Sequence, residues 1–116
     1  MEGMGKWRAM LAAAALYNLV IGGAALIAPG ASVDGRVAAL LVVCFGLVYA
    51  LVARDPLRLA PVLWAGVLGK LGVIALVWPE VLAGRAAPGT GTILAGDAVF
   101  TVLFVVFLLT AARKQP

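Results

Sequence analysis

Four long runs of apolar residues divide this chain, and they constrain its fold more than anything else in it. Ala9 to Ala28 carries no charge and stops at Pro29-Gly30; Val37 to Ala53 carries none and stops at Arg54-Asp55-Pro56. Leu59 to Trp78 holds one charge, Lys70, before Pro79-Glu80, and Thr92 to Ala112 holds one, Asp97, before Arg113-Lys114. A hydrocarbon core about 30 Å thick takes roughly 20 helical residues to cross. Four transmembrane helices are predicted, over about 9–28, 37–54, 59–78 and 92–112, the second borrowing a turn from a flank. The expected fold is all-α, an integral membrane four-helix bundle forming a single domain over 1–116.

Composition closes off the soluble alternative. Of the 116 residues, 65% are apolar and 12% charged, against about 45–50% and 25% in soluble domains. A domain this small buries too little of its surface in water to hide so much apolar area. A cleaved signal peptide competes for the first run, since Met1 to Arg8 reads as a basic leader. The run is long for an apolar signal segment of about 7–15 residues, and a retained helix is expected.

The net charge of +4 is explained by placement, and no nucleic acid is needed as a partner. Lys6, Arg8, Arg54, Arg58, Arg113 and Lys114 fall on one side of the membrane, and only Arg36 and Arg85 on the other. Basic loops stay in the cytoplasm, so both termini and the turn after the second span are predicted inside. Trp7, Trp64 and Trp78 fall near span ends, where indole rings favour the headgroup level. Small residues prepare close packing: Ala14, Asn18, Gly22 and Ala25 share a face of helix 1, and Ala65 and Gly69 stand four apart in helix 3.

Chemistry must come from few groups. There is no histidine, which removes the usual neutral-pH proton carrier and the commonest metal ligand. The single Cys44 lies in an apolar run and reads as a small hydrophobe. No metal, cofactor or catalytic residue is predicted. Lys70 lies near the midplane, where a bare charge costs about 2.5–3.5 kcal/mol on an insertion scale. Asp97 sits about one and a half turns into the fourth helix, with Thr92 as a cap, and a lysine stem spans the difference in depth by snorkelling. A Lys70–Asp97 pair is expected. Together with the midplane Asn18, and Thr101 one turn beyond Asp97, it forms a candidate polar centre, read either as structural or as an ion or ligand site. Arg54, Asp55 and Arg58 form a tight turn in which Asp55 caps a helix begun by Pro56, with the arginines at lipid phosphates; Pro61 then starts the third span.

An ordered set of segments carries a resemblance. Tyr17-Asn18 with Gly22-Gly23 and Pro29, Phe45-Gly46-Leu47-Val48-Tyr49, Arg54-Asp55-Pro56-Leu57-Arg58, Gly69-Lys70-Leu71-Gly72 and Gly96-Asp97-Ala98-Val99-Phe100 span nearly the whole chain. The set resembles a group of small bacterial four-helix inner-membrane proteins, loosely similar to DoxX-like proteins. The resemblance implies the fold and a location in the bacterial cytoplasmic membrane, and no activity.

Three function classes follow. An accessory or interaction module, bound to the bilayer and to a protein partner or further copies of itself, is the leading expectation. The alternative is an oligomeric small-solute or ion transporter or channel using Lys70, Asp97 and Asn18. Small multidrug transporters share the size and helix count but rely on a carboxylate in helix 1, which this chain lacks. An enzyme is the least favoured, because no nucleophile motif accompanies Lys70 and Asp97.

Overall fold

The computed structural model describes residues 4–113. Lys114, counted above among the basic residues, and Met1, which opens the basic leader, lie outside them. The described chain is all-helical. Helix α1 covers Met4–Leu26, α2 Val33–Arg54, the four-residue α3 Pro56–Leu59, α4 Leu63–Leu82 and α5 Thr90–Leu109, with a 3-10 turn at Ala60–Val62 leading α3 into α4. Four segments are long and apolar enough to cross a membrane: Met4–Leu26, Val33–Arg54, Pro56–Leu82 and Thr90–Leu109. At 1.5 Å per residue α1 alone is about 34 Å long.

Large apolar side chains cover the outer faces: Leu16 and Val20 on α1, Leu47 and Leu51 on α2, Leu68 and Leu76 on α4, Val99 and Val102 on α5. In water this surface would far exceed the few hundred Å² of contiguous apolar patch that a soluble monomer tolerates. Lipid is the solvent that accepts it. The protein is therefore a membrane protein of four spanning helices.

All four spans start earlier than expected, since charge at the membrane edge does not prevent a helix, while α1 and α5 stop short of the expected 28 and 112, at Leu26 and Leu109. α1 begins by Met4 and carries Lys6 and Arg8 within it, and α2 begins at Val33, not Val37. Ser32 is the reason: with extended φ and ψ of −71° and 163° its hydroxyl accepts from the Gly35 amide at 3.0 Å, and Asp34 favours the positive helix start. Asp55 is a correction. It precedes Pro56 as expected, but its side chain makes no capping bond; its main-chain carbonyl accepts from the Leu59 amide at 3.0 Å instead. The third span starts at Pro56, with Pro61 inside the 3-10 turn.

Pro79 does not end the third span, which runs on through it to Leu82. A proline costs one i−4 bond at this point, and its own carbonyl still accepts from Ala83 at 3.0 Å. The stop comes from Gly84 at φ +75°, a conformation that side chains disfavour. Gly84 donates to the Val81 carbonyl at 3.1 Å and Arg85 to the Glu80 carbonyl at 2.9 Å, the paired bonds of a Schellman end. Thr92 is likewise not a cap. α5 starts two residues earlier, behind Gly89 at φ +88°, and no side chain caps it.

Contacts group the chain into two compact units, Met1–Ala60 and Pro61–Pro116. In the first, α1 and α2 form an antiparallel hairpin built on glycine. A methyl at Gly22 would lie 2.9 Å from Val42 and 3.0 Å from the Ala39 carbonyl, and one at Gly46 would lie 3.0–3.1 Å from Leu19 and Asn18. Each helix thus offers a glycine where the other comes closest. Leu11, Ala14, Ala15, Asn18 and Gly22 are the buried face of α1; Ala25, expected to share it, is exposed. In the second unit α4 and α5 form the other hairpin, with Leu63, Val67, Leu94, Phe104 and Phe107 buried. The small residues of helix 3 divide: Gly66 is buried, whereas Ala65 is exposed and a methyl at Gly72 would meet nothing within 4 Å.

Candidate functional site

Lys70 is the most deeply buried charged side chain among the described residues, 6% exposed near the middle of the Pro56–Leu82 span. It stays there because α5 brings a carboxylate to it. The Lys70 Nζ donates to Asp97 Oδ1 at 2.7 Å, at the short end for a charge-assisted bond, and the Asp97 side chain is 15% exposed. The ring of Phe100, three residues beyond Asp97, lies with its centroid 5.9 Å from the same ammonium, within cation–π range. One turn of α5 thus supplies both a full and a partial negative charge to one lysine.

Thr101 is buried beside this pair but points elsewhere. Its hydroxyl donates to the Asp97 main-chain carbonyl at 2.7 Å, a bond back into its own helix. That bond uses the hydroxyl proton locally and helps fix the turn from which the Asp97 side chain leaves. Asn18 belongs to the first unit. Its Nδ2 donates to the Val42 carbonyl of α2 at 3.1 Å, beside the close approach at Gly22. The amide was expected to bond across helices, and this bond to the Val42 carbonyl does so. Among the described residues no buried side-chain nitrogen or oxygen is left without a hydrogen bond.

Arg54, Asp55 and Arg58 lie where α2 gives way to α3. Arg58 Nη1 is 3.9 Å from Asp55 Oδ2, with the side chains 81% and 50% exposed. A contact so long and so wet holds little, and it leaves the guanidinium fork open to other anions.

A third charged pair escaped the sequence reading. Arg85 clasps Glu80 with both arms, Nε to Oε1 at 3.1 Å and Nη2 to Oε2 at 2.7 Å. The Schellman end explains why: it folds residue 85 back over residue 80, so the backbone bond and the side-chain fork join the same two residues. The Glu80 carboxylate holds the Arg85 pKa above its ordinary value. The signal was the Glu-x-x-x-Gly-Arg spacing, obscured by treating Pro79 as the end of the helix. Cys44 is exposed on α2. Among the described residues no three of His, Cys, Asp and Glu converge as metal ligands would.

Chemically, Lys70 and Asp97 can hold each other or, if parted, offer one positive and one negative group at mid-span. Compared with known proteins, the chain matches no family model, no curated protein and no solved structure.

Proposed function

We propose that this chain is an accessory or interaction subunit of the bacterial inner membrane, similar in kind to loosely DoxX-like proteins. Its four spans form one bundle with both termini in the cytoplasm, and it acts by binding a membrane protein partner or further copies of itself. The observation that carries the reading is the Lys70–Asp97 bond. The two charges within the membrane interior are spent on each other at 2.7 Å, so the pair works as an internal fastening. The apolar outer faces, with Leu68 75% and Leu76 79% exposed on α4, are what such a subunit offers to lipid and to a neighbour.

A second reading is kept by one detail. Asp97 retains some exposure, so the pair is not sealed, and an oligomeric transporter would part it, with Asn18 and Thr101 as further polar groups. One experiment separates the two. Photocrosslinking from Leu68 and Leu76 in intact cells should give one discrete adduct, and purified chain in liposomes should leave proton and potassium flux at background. Flux above background that Asp97→Asn abolishes would sink the accessory reading.

A further inference from the structure

The first unit is charged unevenly, and its helix register shows where. Gly46 of α2 faces Asn18 and Leu19 of α1, and Gly22 faces Ala39, Val42 and Val43. In an antiparallel pair each step forward on α2 is a step back on α1, so Arg54 falls level with about residue 10. Lys6 and Arg8 are then within about one helical turn of it. Arg58 rides on α3, which packs against α1 as well as α2. Among the described residues four cations therefore gather at one end of the hairpin, with Asp55 as the only carboxylate beside them. At the opposite end Asp34 and Arg36 balance.

The four are disposed to bind something outside the protein. Lys6, Arg8, Arg54 and Arg58 are all exposed, and the one ion pair they make among the described residues is the 3.9 Å contact of Arg58 with Asp55. Their depth is marked by Trp7, whose ring centroid is 5.4 Å from the Lys6 Nζ; an indole at the end of a span belongs at the headgroup level. Phosphate is the anion found at that depth, and clustered basic residues just outside a span attract it. Three guanidinium forks suit it better than point charges would.

We propose that Lys6, Arg8, Arg54 and Arg58 form a binding site for one anionic phospholipid whose headgroup carries two phosphates. One phosphate meets the α1 pair and the other the two arginines flanking the Pro56 turn. Among the described residues four cations less one carboxylate leave three positive charges, which a headgroup of two negative charges offsets more fully than one of a single charge. The site stands whether the protein is an accessory subunit or a transporter.

Native mass spectrometry of the full chain in mild detergent tests this, with cardiolipin, phosphatidylglycerol and phosphatidylcholine added at matched phosphate. One cardiolipin should be retained, at least about tenfold more tightly than phosphatidylglycerol. Each of Lys6→Gln, Arg8→Gln, Arg54→Gln and Arg58→Gln should loosen it roughly fivefold. Arg36→Gln, at the other end of the same hairpin, should change nothing, and thermal melting checks that each variant is folded. Equal retention of phosphatidylglycerol overturns the two-phosphate match, and equal loss with Arg36→Gln overturns the site. Displacement by inorganic pyrophosphate or by polyglutamate at equal charge reassigns the surface to a soluble anion or an acidic protein segment, and overturns the lipid.

Discussion

A lysine ammonium 6% exposed at mid-span is stable only while its carboxylate stays beside it. Removing either partner leaves the other as an uncompensated buried charge, which costs about 3–5 kcal/mol, whereas removing both is often nearly neutral. Lys70→Met and Asp97→Asn should each lower the melting temperature in detergent, and the double variant should regain part of the loss. Losses that simply add would show that the two residues are uncoupled. This pair was legible in the sequence because bare charge in hydrocarbon is so costly that two such residues in neighbouring spans imply each other. The partner of Asn18 was not legible in the same way. Any acceptor satisfies an amide, and the chosen one, the Val42 carbonyl, came within reach because Gly22, four residues on, lets the backbones close.

At the scale of the helix, the ends were the hardest part to read. In water a helix stops where its apolar face stops, but at a membrane edge Lys6, Arg8 and Glu80 continue the helix into the headgroups. What stops each one is local backbone chemistry: Ser32 before α2, Gly84 after α4, Gly89 before α5. The Glu80–Arg85 clasp lies wholly at such an end. Its side chains are well exposed, so Arg85→Gln should barely shift the melting temperature, while Gly84→Val, forced into φ +75°, should lower it more; paired thermal melts compare them. The α1–α2 hairpin is less forgiving. A valine at Gly46 must displace Leu19 and Asn18, which lie 3.0–3.1 Å from where its first carbon would sit. Overpacking of this kind typically costs about 1–3 kcal/mol, and Gly46→Val should show it as a lower melting temperature. The same change at Gly72, where the space is open within 4 Å, should leave packing unharmed. Proteolysis belongs to this scale too. Pro56 is buried, α3 is helical and Pro61 follows, so trypsin should cut slowly at Arg54 and Arg58 in inside-out vesicles. Rapid cleavage there would mean a loose loop.

For the whole molecule, four spanning helices were plain from the apolar runs alone, because roughly 20 uncharged residues have few other places to go. Sidedness rests on charge counting, and it carries its own test. A reporter active only in the periplasm should work when fused after Gly84 and stay silent when fused after Pro116. The opposite pattern would invert the proposed topology and move the basic end of the first hairpin to the outer leaflet.

The two hairpins are joined by different physics. α1 and α2 meet through glycines and a neutral amide, so their fit answers to volume: a methylene in the wrong place disturbs it, and acid or salt does not. α4 and α5 are pinned at mid-span by one bond between charges, which ignores small changes of bulk but fixes the axial register, since a slide of one turn, about 5.4 Å, parts the ions. One half of the chain is keyed like a lock and the other like a contact in a circuit. Homologous chains should therefore conserve size at positions 22 and 46, and conserve opposite charge, in either order, at positions 70 and 97.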